Sequence, residues 1–378
     1  MSWSFWEKNT FIKKPDVTII GSGIVGLNAA LSLKIKSPSL HVVVLEKGFL
    51  PYGASTRNAG FACYGSISEL LNDLKVQSPE KVFDLVERRW KGLNRLRQIL
   101  GDDVMDYEPT GGYEIFTPAD NQVSELCFDK IDYFNQELKR ITGKDEIYID
   151  ASKKIPQFGF KGINKMILNT GEGQIDTGKM MKSLLEKCRD AGIEILNGVD
   201  VTAIENENEK CRISFNQKFS LLSEKVLIAV NGFAKKFLPD FDVQPARAQV
   251  ISTSPVQGLR FKGSFHYDHG YYYFRNIGDR VLFGGGRNLD FEKEHTSEFG
   301  LTPLVQESLE DLLRNVILPD SDYVIEERWS GIMGIGEIKS PIIRMVKDNI
   351  YCAVRMGGMG VAIGSLVGED AADLILKS

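Results

Sequence analysis

The apolar positions of this chain change period several times, and each change marks an element. Residues 17–20 form a short run of apolar or β-branched positions ending at Gly21, which reads as a buried strand. Residues 27–34 take helical spacing, and 42–45 form a second strand-like run, so residues 17–65 read as a βαβ unit followed by a glycine-rich loop. Over residues 80–100, Val82, Leu85, Trp90, Leu93, Leu96 and Leu100 share one face of a long amphipathic helix. A short strand is predicted at 111–116 and a helix over 121–141. Asp176 is an N-cap residue for a helix that runs through Cys188 and stops at Gly192. Strand-like segments follow at 193–196, 199–204, 211–215 and 225–231, and the apolar run 226–230 reads as a buried parallel strand.

From Gln244 to about Arg287 the pattern becomes that of antiparallel strands. Residues 271–275 and 280–284 flank Asn276-Ile-Gly-Asp279, a hairpin signal. Residues 302–313 are helical in pattern. The chain then closes with a strand at 350–354, a glycine-rich segment at 357–364 and a helix. Segments of α/β character thus occur at the start, the middle and the end, with β-rich and helical blocks between them. The expected class is α/β, with one discontinuous domain and a second, α+β domain with a mainly antiparallel sheet threaded through it.

Composition narrows the function classes. With 378 residues, of which 43% are hydrophobic and 26% charged, the chain can bury a sizeable core and has the length of two or three domains. A net charge of −5 and a pI of about 5.6 give no nucleic-acid footprint. Five cysteines, an odd number without CxxC spacing, argue against a disulfide framework or a zinc site and for reduced thiols in a cytoplasmic protein. His266 and His269 lie three residues apart with no third ligand nearby in sequence, so no metal is expected. No apolar run approaches the ~18 residues of a membrane span, and the first residues lack the apolar core of a signal peptide. Trp3, Phe5 and Trp6 are expected to tuck against the domain.

The most specific signal is Gly21-Ser22-Gly23-Ile24-Val25-Gly26 at the end of the first strand-like run, with an acid, Glu46, twenty residues past Gly26 at the end of the second. This is the dinucleotide fingerprint in its strand, turn, helix, strand and acid context. Gly21 allows the tight turn, Gly23 lets the backbone approach a pyrophosphate, and Gly26 lets the helix pack on its strand. The helix N-terminus presents N–H groups and partial positive charge to the phosphates. Glu46, followed by Lys47, suits a free ribose diol, as in NAD or FAD, rather than a 2′-phosphate. The discontinuous α/β part is therefore a Rossmann-like domain.

Two further glycine-rich segments favour FAD over NAD. One is Gly53-Ala54-Ser55-Thr56-Arg57-Asn58-Ala59-Gly60, and the other Gly357-Gly358-Met359-Gly360. Small residues admit close backbone approach along a longer cofactor. The helix after Gly360 aims its N-terminus where negative charge gathers on a reduced flavin. Together with 226–232 and Arg328-Trp329-Ser330-Gly331, these segments resemble, in order and over nearly the whole length, the FAD-dependent D-amino-acid oxidase superfamily, which includes glycine oxidase and sarcosine oxidase. Residues 53–60, and Tyr273-Phe-Arg275 before Leu282-Phe-Gly-Gly285, are most similar to its γ-glutamylputrescine oxidase branch.

The resemblance implies an FAD-binding domain of residues 15–95, 168–235 and 325–378, and a substrate domain of 96–167 and 236–324. It implies that Ser55, Thr56, Arg57, Asn58, Ala59, Gly60, Phe61 and Ala62 line the path from pyrophosphate to flavin. Val201 would meet adenine, Ala229 and Gly232 would close the adenosine side, and Gly331, Gly357, Gly358, Met359, Gly360 and Val361 would serve the flavin end. The chain departs from the family in one respect. Glycine and D-amino-acid oxidases carry a carboxylate-binding arginine soon after the Trp-x-Gly segment, and here Met333 stands near that place. Arg275 is either its substitute, since a guanidinium suits bidentate carboxylate binding, or a strand charge. Tyr271 and Tyr273 share its strand face, as pocket caps or as core and edge aromatics. Cys352 does not match the site of covalent flavin attachment in sarcosine oxidase, so FAD is expected to be non-covalent.

The implied activity is two-electron oxidation of an amine or amino acid C–N bond, with hydride leaving to flavin N5 and the imine then hydrolysing. Oxygen, a quinone or a carrier protein would take the electrons. Two rivals stand beside it: oxidation of a hydroxyacid or other C–OH substrate, and a non-catalytic FAD-binding assembly protein.

Overall fold

The computed structural model describes residues 4–11 and 13–378, so Trp3 lies outside the described residues. Two large sheets organise the molecule. The first has six strands in the order Ile342–Lys347, Ile350–Val354, Lys225–Ile228, Val17–Ile20, Val42–Glu46 and Glu194–Asn197. Its pairings are parallel except at the Ile342–Lys347 edge, which runs antiparallel to its neighbour. The second has eight strands, in the order Ile325–Ile335, Gln244–Thr253, Arg280–Gly285, Tyr272–Ile277, Ser264–Tyr267, Gly112–Phe116, Lys165–Asn169 and Tyr148–Asp150. It is antiparallel except where Ser264–Tyr267 meets Gly112–Phe116. This is the α/β class with an antiparallel second sheet expected from the periodicity.

The central strands Val17–Ile20 and Val42–Glu46 are buried along their whole length, as a sheet covered on both faces requires. One cover is the Ile24–Lys36 helix, against which the C-terminal helix Gly360–Lys377 packs at backbone distance. A Cβ added at Gly368 would lie 2.7 Å from the Val25 carbonyl oxygen. The long Pro79–Leu100 helix lies on the C-terminal helix in turn, and Ser365 Oγ donates to the Gly92 carbonyl at 2.5 Å. The cores of the two sheets are separate clusters, one around Ile19, Leu27, Val44 and Val367, the other around Phe265, Phe274 and Phe283.

Several boundaries differ from the sequence expectation. The helix predicted over 121–141 is two helices, Asn121–Asp129 and Ile131–Thr142, and each buries its own apolar face, Cys127 from the first and Phe134 and Leu138 from the second. The hairpin is tighter than its flanking residues suggested: Ile277 pairs with Arg280, leaving a two-residue turn with Gly278 at φ +59°. The run 226–230 leaves its sheet after Ile228 and enters a 3₁₀ turn, Asn231–Lys236. The segments near 201–223 form a separate three-stranded antiparallel sheet. Phe5 and Trp6 do not tuck against the domain; they are 69% and 72% exposed and pack edge-on against each other. All five cysteines are free and buried.

Candidate active site

The fingerprint turn is built by contact between backbones. Gly21 has φ +102°, and a Cβ there would lie 2.8 Å from the Ala229 carbonyl oxygen; a Cβ on Gly26 would lie 2.0 Å from the Gly21 carbonyl oxygen. The turn therefore offers bare backbone at the start of the Ile24–Lys36 helix. Ser55 is bound directly to it, its Oγ accepting from the Ile24 N–H at 2.9 Å. The Glu46 carboxylate accepts from the Ser22 N–H at 3.0 Å, the Ser22 hydroxyl at 2.8 Å and the Gly48 N–H at 2.9 Å.

From this turn a single continuous cavity of about 1040 Å³ runs between the two sheets. That exceeds the roughly 300–1,000 Å³ of common ligand pockets and leaves room for a dinucleotide and a second small molecule. Of the residues singled out in the sequence, Gly21, Gly23, Ile24, Val25, Glu46, Lys47, Ser55, Arg57, Asn58, Ala59 and Phe61 line it. So do Val201, Ala229, Gly232, Gly331, Met333, Tyr273 and the run Gly357, Gly358, Met359, Gly360 and Val361. Segments more than three hundred residues apart in the chain thus form one wall.

Ser22, Gly26, Thr56, Gly60, Ala62 and Arg275 stand behind that wall rather than on it. Thr56 Oγ1 donates to the Pro51 carbonyl at 2.6 Å, fixing the loop. Arg275 is 5% exposed, and its Nη1 donates to the carbonyls of Ile175 at 2.6 Å, Gly60 at 3.1 Å and Ala59 at 3.3 Å. Burial pushes its guanidinium down to about 10, against the opposing charges of Glu108 and Asp176. The structure does not bring Arg275 to the cavity. It is a clamp between the cofactor loop and the segment at Ile175.

The far end of the wall is braced by Asn231. Its Oδ1 accepts from the Arg355 N–H at 3.0 Å and the Met356 N–H at 3.1 Å, tying the turn at 231–236 to the glycine segment. Arg57 Nη1 donates to the Ser330 carbonyl at 2.9 Å, and its guanidinium lies over the rings of Tyr52 at 4.3 Å and Phe299 at 4.6 Å. The Met333 thioether lies beside the Gly358 backbone, 3.5 Å from where a Cβ there would sit.

Between the glycine segment and the hairpin, the cavity is lined by Tyr271, Tyr273, Arg287, Glu69, His266 and Lys339. Burial pushes the Tyr273 hydroxyl up to about 12, so it is a neutral donor. Lys339 Nζ pairs with Asp73 at 2.8 Å. Arg287 differs from the other cations on the wall. Lys47 and Lys236 pair with Asp200, Lys235 donates to the Pro239 carbonyl, and Arg57 and Lys339 are engaged as described. The Arg287 guanidinium lies over the Tyr271 and Phe291 rings, each at 5.2 Å, and among the described residues it meets no carboxylate. Burial lowers its pKa, opposed by Tyr271 and Tyr273. The sequence carried a signal for it: Gly284-Gly-Gly-Arg287 ends the hairpin strand, and Gly285 and Gly286 both take positive φ. Glu69, His266 and Lys339 carried no local signal, since they converge from a helix, a strand and a loop far apart in sequence.

Residues 16–374 match the family described as FAD dependent oxidoreductase. The chain belongs to this family. It is 25% identical over 382 residues to the probable oxidoreductase OrdL of Rhizobium meliloti, covering 96% of this chain and 83% of that protein. It is 23% identical to the gamma-glutamylputrescine oxidoreductase of Escherichia coli, with 95% and 83% covered. The fold is shared with the crystal structure of glycine oxidase from Bacillus cereus, at a TM-score of 0.76 and 19% identity over 96% of this chain and 95% of that one. The protein is thus an FAD-dependent oxidoreductase, and the bare backbone at the fingerprint turn and the length of the cavity fit the cofactor. Among the described residues no helix is long and apolar enough to cross a membrane.

Proposed function

We propose that this FAD-dependent oxidoreductase oxidises the C–N bond of an amino acid or related carboxylate-bearing amine, the α-hydrogen leaving as hydride to the flavin N5 and the imine product then hydrolysing. One observation carries the reading: Arg287 is a cation on the cavity wall that, among the described residues, pairs with no carboxylate. A guanidinium flanked by the Tyr271 and Phe291 rings can present its N–H fork to a carboxylate, which restores the anchor missing at Met333. Arg287 takes this role in place of Arg275, whose donors are spent on backbone carbonyls.

In this reading Gly21, Gly23, Ile24 and Val25 receive the pyrophosphate, while Glu46 and Lys47 receive the ribose and Val201 the adenine. Ser55, Arg57, Asn58, Ala59 and Phe61, with Gly357 through Val361, hold the flavin. Ser22, Gly26, Thr56, Gly60 and Ala62 support them from behind. FAD is held without a covalent bond: Cys352 is buried within its strand, and burial keeps the cavity-lining Cys63 thiol protonated. Tyr273 donates to substrate or closes the pocket over it. The domain division of 15–95, 168–235 and 325–378 against 96–167 and 236–324 is kept, with the Ile325–Ile335 strand, hydrogen-bonded along its length to Gln244–Thr253, serving both parts. Electrons pass on to oxygen, a quinone or a carrier protein, and five reduced, buried cysteines support a cytoplasmic location.

Anaerobic mixing of the FAD-loaded protein with a panel of amino acids and amines, and with a panel of hydroxyacids, tests the reading. Bleaching of the flavin band by a carboxylate-bearing amine is expected. Bleaching by hydroxyacids alone, or by nothing, overturns it.

A further inference from the structure

Behind the substrate end of the cavity lies a second, much smaller space. It is a void of about 10 Å³, lined by Glu114, Glu172, Asn169, Tyr148, Ser66 and His266. That is close to the roughly 10–15 Å³ needed for one water. His266 lines both spaces, so its ring is the partition between them. Two polar atoms of the lining residues, His266 Nε2 and Asn169 Nδ2, have no hydrogen-bond partner among the described residues, although the residues are only 6% and 3% exposed. His266 Nε2 stands 3.9 Å from Glu172 Oε2, too far for a direct hydrogen bond and suited to one bridging molecule. The other carboxylate oxygen of Glu172 accepts from the Tyr64 N–H at 2.9 Å and the Gly65 N–H at 3.1 Å, which fixes the group in place.

We propose that His266, one water in this void, and the Glu172 and Glu114 carboxyls form a proton-transfer site that takes the proton a substrate ammonium must lose before its C–N bond can be oxidised. The inference rests on the amine reading above. The transfer balances without any redox partner. The ammonium N–H bond breaks, its proton goes to the His266 ring, and the ring's other proton passes through the water to a Glu172 oxygen. The net change is an ammonium and a carboxylate becoming a neutral amine and a carboxylic acid.

The electrostatics agree with the geometry. Burial lowers the His266 pKa, opposed by Glu69, so the ring is a neutral acceptor at neutral pH. Burial raises Glu172 to about 8 and Glu114 to about 7, and Glu69 adds to both shifts. The site therefore holds its own protons below that window and empties as pH rises through it, and only the emptied, carboxylate form takes the ammonium's proton. The groups facing His266 come from every neighbouring element. Glu114 is its register partner on one flanking strand and Tyr273 on the other. Glu69 comes from the Ile67–Leu74 helix, and Glu172 from the turn before Gly173–Gln174. Burial works to raise the Glu69 carboxyl, but Lys339, the facing His266, the Ser66 N–H and Arg89 outweigh it and hold it below its ordinary value.

The test uses the FAD-loaded protein and two readouts. The first is infrared spectroscopy against pH without substrate. A buried protonated carboxyl band is expected at neutral pH, fading towards pH of about 8 and diminished in Glu172→Gln; Glu114→Gln serves if the first variant fails to fold. Absence of any such band overturns the proposal whatever the substrate proves to be. The second readout is the pH profile of kcat/KM for the fastest amine in the bleaching panel. Wild-type kcat/KM should rise as the site empties towards pH of about 8, and there His266→Gln should lower it by about 10²-fold or more, the usual range for a lost proton acceptor, and recover towards wild type at more alkaline pH or with added imidazole. An equal loss at every pH, without rescue, assigns His266 a structural role and overturns the proposal. Failure of every amine to bleach the flavin instead overturns the amine reading, and the infrared result stays separate from it.

Discussion

The Glu46 carboxylate closes on Ser22, accepting both its N–H at 3.0 Å and its hydroxyl at 2.8 Å. The acid at the end of the second strand is therefore part of the fingerprint turn, besides the ribose-binding role proposed for it. Replacing it with Ala removes an acceptor from two buried donors, which typically costs about 1.5–3 kcal/mol where one partner is charged. Glu46→Ala is expected to weaken FAD by about tenfold or more, with a lower Tm for the apoprotein as well. Fluorescence titration with FAD and thermal melts measure the two effects separately. Weaker FAD with an unchanged apoprotein Tm would confine Glu46 to the ribose.

Arg287 and Met333 line the same cavity, and only Arg287 can anchor a carboxylate. Arg287→Met should raise KM for carboxylate-bearing amines by about 30-fold or more, as loss of one partner of a desolvated charge pair costs about 2–5 kcal/mol. The flavin spectrum should be unchanged, and amines lacking a carboxylate should lose little. Steady-state kinetics on an amino acid and its decarboxylated amine make the comparison. Equal losses on both would remove Arg287 from the anchor role.

Much of this site was legible because its cofactor half is made of backbone. Glycines at 21 and 26 stand where a Cβ would collide with backbone, and Gly357 and Gly358 take positive φ, so both segments are written into the sequence as glycine. The substrate half is made of side chains brought together by sheet register, and spacing along the chain does not encode that. Arg275 and Arg287 illustrate the difference. Both end up near the same hairpin, yet the one with strand-like neighbours is spent on four carbonyls while the one after a glycine triplet faces the cavity. The carboxyls Glu114 and Glu172 were equally silent, for their proximity to His266 depends on a parallel pairing inside an otherwise antiparallel sheet.

The four carbonyls that Arg275 serves, those of Ala59, Gly60, Ile175 and Asn276, make it a stability residue. Arg275→Met leaves the acceptors at Ala59 and Ile175 buried without a donor, while the Gly60 carbonyl keeps the Ile175 N–H, and each unpaired group costs about 1–3 kcal/mol. A fall in unfolding free energy of about 3 kcal/mol is expected, together with weaker FAD, since Ala59 lines the cavity. Chemical denaturation of both proteins reads the first effect. A variant of wild-type stability with a raised KM for carboxylate-bearing amines would return the anchor role to Arg275.

A second buried network sets the acid limit of the fold. Glu294 is 2% exposed, and its carboxylate accepts from Arg247 Nε at 2.7 Å, the Thr302 hydroxyl at 2.8 Å and Gln249 Nε2 at 2.9 Å. Burial works to raise its pKa, but Arg247, Gln249 and Thr302 outweigh it, and the result lies below the model-compound value of 4.5. A depressed folded pKa means that the unfolded chain binds the proton more readily. The network's contribution is therefore complete above pH 4.5 and is lost as pH falls through the lower folded value. Glu294→Gln removes this dependence and leaves Arg247 buried without its counter-charge, at a cost of about 3–5 kcal/mol. Denaturation curves across the acid range should show the wild type losing its advantage over Glu294→Gln as pH drops below that window, with the two converging. Parallel curves at every pH would mean that Glu294 keeps its ordinary titration and that the network is held by shape alone.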